Sequence, residues 1–140
     1  MVTTQHAGRT HGMTANAFIS VSLDPPLVLV SVGNSSQMHC MLSATGRYGV
    51  SVLAENQEAL SIYFAKQSSA GLDVKFVERN GVPLLGGAVA YFVVQVTDAH
   101  LAGDHTLFIG RVEHFESRDD KPLLFHSGKY KQVRGEESKP

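Results

Sequence analysis

Two short stretches carry the side chains best suited to chemistry. The first is Thr14-Ala15-Asn16-Ala17. Small side chains let backbone amides approach a flat ligand closely, and Thr14 and Asn16 offer groups that bond to heteroatoms on its edge. The second is Gly103-Asp104-His105-Thr106, a tight turn that opens a strand with a half-exposed histidine. Between them lies Gly33-Asn34-Ser35-Ser36, followed by a segment of helical character, Gln37–Ala44. Ser and Asn are preferred helix N-caps, and a helix N-terminus presents free N–H groups to an anion such as phosphate. Each stretch also has a plainer reading. Thr14–Ala17 fits an ordinary turn between strands, Ser35-Ser36 a capped helix without ligand, and His105 a polar residue on a rim.

The elements that position these residues are mainly strands. Met1–Thr4 extends, Gln5–Thr10 turns about Gly8, and the strand resumes near His11, which reads as a hairpin. Ala17–Leu23 alternates, with Ile19, Val21 and Leu23 on one side, and reads as a half-buried strand. Asp24-Pro25-Pro26 forces a corner, since two prolines fix φ and remove backbone donors. Leu27–Val32 is almost all apolar and β-branched, so it is buried on both faces or forms a barrel wall. The helix after it ends at Gly46, a C-cap residue. Tyr48–Leu53 alternates as a strand, and Asn56–Gln67 reads as an amphipathic helix capped by Asn56. Ser68–Leu72 is a loop, Val74–Glu78 a short strand, Asn80-Gly81 a turn and Pro83–Gly87 a bend. Ala88–Thr97 is a long strand. Thr106–Glu116 is another, and Gly110 within it marks a bulge or a close backbone approach. Pro122–Phe125 and His126–Tyr130 close the pattern.

With 140 residues and 43% hydrophobic content, the chain suits one domain with a core, here residues 1–134, followed by a disordered tail, 135–140. A formal net charge of −1 with mixed signs leaves no electrostatic footprint for nucleic acid. No apolar run reaches the ~20 residues of a membrane helix, and Met1–Arg9 lacks a signal-peptide core, so a cytoplasmic protein is expected. The single cysteine, Cys40, sits among Met38, Met41 and Leu42 and reads as buried packing. Seven histidines show no metal-ligand spacing, and no metal is expected. The chain carries no G-x-S-x-G, P-loop or G-x-G-x-x-G motif.

Three blocks in order, HGMTANAFISVSLDPPLVLVSV, GRYGVSVLAENQEALSIYFAKQ and AGDHTLFIGRVEHFE, resemble the flavin reductase-like family across nearly the whole chain. That resemblance implies an FMN-binding split β-barrel of Greek-key type with two or three short helices. It implies a reductase of FMN or FAD that draws electrons from NADH or NADPH and supplies a flavin-dependent monooxygenase component. A homodimer with flavin near the interface is expected. Family members usually carry an N-terminal helix and first strand before the segment matching Val2-Thr3-Thr4, whereas this chain begins inside that strand.

The resemblance also assigns candidate residues. Thr14, Ala15, Asn16 and Ala17 would hold the flavin ring edge. Val52 and Leu53 would run along it. Ser31, Val32, Ser35 and Ser36 would hold the ribityl-phosphate side, and the Phe64-Ala65-Lys66 block would bring a lysine to a phosphate oxygen. His105 and Tyr130 would border the nicotinamide. By themselves Lys66 also fits a solvated lysine at a helix end and Tyr130 an aromatic closing the barrel. No residue is expected to act as an essential acid, because hydride transfer is chemistry of the two cofactors and the protein stacks and orients them. A flavin-retaining electron carrier, a non-catalytic flavin-binding module and a pyridoxamine phosphate oxidase share the fold and stay open, since fold alone does not fix function.

Overall fold

The computed structural model describes residues 1–66 and 71–135. Strands β1 (Val2–His6) and β2 (Arg9–Met13) form a hairpin; β3 (Phe18–Leu23) and β4 (Pro26–Gly33) form a second. Helix α1 (Gln37–Thr45) leads into β5 (Arg47–Val52). A 3-10 turn (Glu55–Gln57) and α2 (Glu58–Phe64) precede a small hairpin, β6 (Phe76–Arg79) with β7 (Val82–Leu85). The long strands β8 (Ala90–Ala102) and β9 (His105–Ser117) follow, then a last hairpin, β10 (Leu124–His126) with β11 (Lys129–Lys131). The main sheet is antiparallel throughout, in the order β2-β1-β5-β8-β9-β4-β3. It curls around one core while β2 and β3 stay as its two edges, which is a split rather than closed barrel.

The pattern of β4 decides where that core lies. Val28, Val30 and Val32 are buried, whereas Leu27, Leu29 and Ser31 are only partly so. The apolar run is therefore a barrel wall, not a strand buried on both faces. Its inner face meets Tyr48, Val50, Val94 and Phe108 from neighbouring strands and Met38 and Leu42 from α1. Fully burying side chains such as Val30, Leu42 and Phe108 contributes about 1.5–3 kcal/mol each. The Tyr48 hydroxyl donates to the Phe108 carbonyl at 3.2 Å, so its burial leaves no unpaired polar atom. Burial pushes the Tyr48 phenol well above its ordinary pKa.

The cap of α1 follows the sequence. Ser36 Oγ accepts from the His39 amide at 3.1 Å, and Gly46 ends the helix in the left-handed region at φ 65°. Cys40 departs from expectation: it is exposed on the outer face of α1, while Met38, Met41 and Leu42 face inward.

Other departures have local causes. The first turn is only Ala7-Gly8, both at positive φ, which matches the twist of a two-residue hairpin. In β3, Ile19, Val21 and Leu23 are 57%, 46% and 94% exposed, so none of them belongs to a buried half of the strand. A bulge at Val21 shifts the register, which puts Ile19 and Leu23 on opposite faces, while Phe18 packs inward against Phe92 at 5.3 Å. The predicted bend Pro83–Gly87 begins as a strand: β7 is buried along its whole length. Pro83 is tolerated because β7 pairs on one side only, with β6, and the Pro83 carbonyl accepts from Thr3 Oγ1 at 2.5 Å. The predicted helix Asn56–Gln67 divides into the 3-10 turn and α2, and the Gln57 side chain, not Asn56, caps it by accepting from the Ala54 amide at 3.0 Å. The short strand forms at Phe76–Arg79, slightly later than read. Part of the expected loop, 68–70, and most of the expected tail, 136–140, lie outside the described residues, as does Gln67.

Candidate functional site

A cavity of about 460 Å³ opens between the start of β1, the segment joining β2 to β3, the end of β5, α2 and the last hairpin. Thr14, Ala15, Asn16, Val52, Leu53, Ala65 and Tyr130 all line it. Seven predicted residues from four separate parts of the chain thus meet around one space. Sequence reading missed the rest of the lining, chiefly Phe18, Ser51, Ser61 and Phe125. Ser61 had a usable signal: it is a hydroxyl on the apolar face of a helix, and it is 4% exposed. Phe125 and Leu123 gave none, because their hairpin reaches the cavity only through tertiary contacts.

Hydrogen bonds hold the walls. Thr14 Oγ1 donates to the Ser61 carbonyl at 2.6 Å, fastening α2 to the segment before β3. Its one proton is spent there, so toward a ligand Thr14 offers lone pairs. Ser61 Oγ and Tyr130 OH lie 2.8 Å apart, and the Tyr130 ring packs on Phe125 at 5.1 Å. The last hairpin is secured below by the Leu123 amide, which donates to the Leu53 carbonyl at 2.8 Å, and by the Ala54–Pro122 bridge. Gly12 lets α2 come close: a Cβ there would meet two Phe64 ring carbons at 2.9 Å. Phe64 therefore supports the wall from behind. Lys66 is exposed at the end of α2 with φ 58° and does not line the cavity. Its charge is felt at His11, whose pKa is lowered first by burial and then by Lys66.

The remaining predicted residues lie along a path from the cavity. The Ser31 amide donates to the Ala17 carbonyl at 3.0 Å, one residue beyond Asn16. Val32 faces the core. Ser31 and Gly33 share the opposite face of β4 by strand alternation, and Gly33 pairs with His105 at the start of β9. There the β4–α1 loop, with Ser35 and Ser36, meets the β8–β9 turn. Ser36 Oγ is already committed, donating to the Gly33 carbonyl at 2.8 Å and accepting from His39. His105 Nδ1 and Asp104 Oδ1 lie 2.7 Å apart on the surface, and this hydrogen bond holds the Asp104 carboxyl below its usual range.

The cavity's chemistry is that of a holder. Its walls are apolar, its rim offers hydroxyls and one carboxamide, and among the described residues no carboxylate, histidine or lysine side chain lines it. Such a space suits a planar heteroaromatic ring with polar atoms on one edge.

Comparison with known proteins shows the family and the fold. The family model described as the flavin reductase like domain matches residues 1–134. An NADH-dependent flavin reductase from Rhodococcus sp. is 50% identical over 123 residues, covering 88% of this chain and 70% of that protein. The flavin reductase PheA2 in its native state superimposes with a TM-score of 0.93 at 46% identity, over 96% of this chain and 88% of that one. The styrene monooxygenase flavin reductase from Pseudomonas putida gives 0.88 at 40% identity, over 95% and 88%.

Proposed function

The chain belongs to the flavin reductase-like family, and from that premise we infer that the cavity beside Thr14–Asn16 receives the flavin ring. The protein is a flavin reductase: it oxidises a reduced nicotinamide, NADH by the pattern of its relatives, and reduces FMN or FAD. The reduced flavin goes to a flavin-dependent monooxygenase, the role of its relatives in styrene oxidation.

The residues fit such a ring. Asn16, Ser61 and Tyr130 supply polar groups at the cavity rim, and Thr14 supplies lone pairs. Val52, Leu53, Phe18 and Phe125 supply apolar surface that excludes water. From the cavity, the path past Ala17 and Ser31 leads to Ser35-Ser36 and the N-terminus of α1, where N–H groups suit a phosphate. Flavin supplies the hydride acceptor; the chain's contribution is to stack and orient two flat cofactors. His105, on the β8–β9 turn beside Ser35-Ser36 and outside the cavity, borders the nicotinamide dinucleotide in this reading. The single observation that carries it is the convergence of Thr14–Asn16, Val52-Leu53, Ala65 and Tyr130 on one apolar space.

A homodimer is part of the same reading. Ile19, Val21 and Leu23 are exposed apolar side chains on the edge strand β3, and a second copy docked on this edge would remove part of them from water. We place the protein in the cytoplasm, where reduced nicotinamide is available to it; among the described residues, no helix is long and apolar enough to cross a membrane.

The test is oxidation of NADH and NADPH, followed at the nicotinamide absorbance band, with FMN, FAD or no flavin added. Turnover that needs added flavin is expected, and it reveals both preferences. A yellow protein without turnover would replace this reading with that of a flavin-retaining carrier.

A further inference from the structure

We propose that His39 is a positioning residue for the nicotinamide donor, acting through Thr106 and Asn34 on the turn that carries His105. The proposal rests on the reading above that His105 borders the nicotinamide.

The observation is a directed hydrogen-bond relay. His39 Nε2 lies 3.1 Å from Thr106 Oγ1, which lies 2.6 Å from Asn34 Oδ1. Asn34 Nδ2 donates to the Gly103 carbonyl at 3.3 Å, which fixes the amide with its oxygen toward Thr106. A carboxamide oxygen only accepts, so the single Thr106 proton goes to Asn34. Thr106 Oγ1 must then accept from His39, and the His39 proton sits on Nε2. Each link has one direction, and the relay ends on the Gly103 carbonyl within the β8–β9 turn.

His39 is held to deliver that proton. Its amide donates to Ser36 Oγ at the helix cap, and its ring packs edgewise on Phe108 at 5.5 Å. Phe108 is 2% exposed, so the ring rests on the core. Thr106 is itself buried. The turn has few other tethers to the body: the Asn34 amide donates to the Asp104 carbonyl at 2.9 Å, and Gly33 pairs with His105. Gly103 is at φ 64° with no atom within 4 Å of a Cβ, so packing does not hold the turn. The relay therefore ties an exposed loop to the core through side chains that do not line the cavity.

The experiment compares His39→Ala, His39→Gln and Thr106→Val with wild type. Exchange of the Asn34 amide reports the relay directly. The apparent NADH constant and the flavin Kd report its consequence. For His39→Ala we expect Asn34 exchange and the NADH constant each to rise about fivefold, the loss of roughly one hydrogen bond. The flavin Kd and kcat at saturating NADH should stay within about twofold, because the cavity lining is untouched. His39→Gln retains a donor and should restore both readouts; Thr106→Val should reproduce the alanine variant. Unchanged Asn34 exchange in His39→Ala overturns the relay. Faster exchange with an unchanged NADH constant overturns its role toward the donor. If His105→Ala also leaves that constant unchanged, the reading of His105 is what failed, while flavin-dependent turnover stands or falls separately.

Discussion

Adding one methyl group at Gly110 tests the packing that seats β9 between its neighbours. Gly110 pairs with Val28 of β4 and Val96 of β8. A Cβ there would lie 2.4 Å from Val94 Cγ1 and 2.6 Å from the Gln95 carbonyl oxygen. Ordinary contact begins near 3.4 Å, so the overlaps are 1.0 and 0.8 Å (3.4 − 2.4 and 3.4 − 2.6). Neither neighbour can retreat. Val94 is fully buried, and Gln95 is held in β8 between Arg47 of β5 and Arg111 of β9. Overpacking a rigid core costs about 1–3 kcal/mol, and an overlap with backbone belongs at the upper end. For Gly110→Ala we expect a loss of about 3 kcal/mol, which lowers Tm by roughly 10 °C. In urea the midpoint should fall by about 1.5–2 M with an unchanged slope. Gly135→Ala is the control, because nothing lies within 4 Å of a Cβ there. A Gly110→Ala loss under about 1 kcal/mol would show that the strands yield, and the close-approach argument would be wrong.

Three further outcomes are expected. Asn16→Ala should weaken flavin binding about five- to tenfold in a fluorescence titration, with Tm unchanged because Asn16 is exposed. Tyr130→Phe removes the partner of Ser61 Oγ and should weaken flavin binding about two- to tenfold; Ser61→Ala should do the same, and the double variant should be no worse than either. His11 has a folded pKa below its ordinary 6.5, so the unfolded chain binds the proton more readily and stability falls as pH drops below 6.5. Urea melts at pH 7.5 and 5.5 (values of about one unit either side of the imidazole range) should show that fall, and His11→Gln should reduce it.

Local physics made much of this protein legible. Alternation in Leu27–Val32, the proline corner before it, the Ser36 cap and the Gly46 stop are determined by side-chain period and backbone restriction, which neighbours in sequence set. Gly110 was legible as an alternative between bulge and close approach. The structure has both, with one bulge at Thr97 of β8 beside its partner and another at Glu113 of β9 itself. The Thr14–Ala17 segment could be marked as a ligand edge because small and polar residues precede a strand there. What tertiary structure alone decided is of a different kind. The β3 alternation cannot show the bulge at Val21, which breaks the period so that Ile19, Val21 and Leu23 do not share one face and all three stay exposed on the edge strand. Pro83 reads as a break until a one-sided pairing and the Thr3 hydroxyl make it a strand residue. Ser61 meets Tyr130, and His39 meets Thr106, across 69 and 67 positions of sequence. Hydrogen bonds of that span carry no periodic trace in the chain. They exist because folding brings their elements within 3 Å or so, and they shape the cavity and its neighbouring turn.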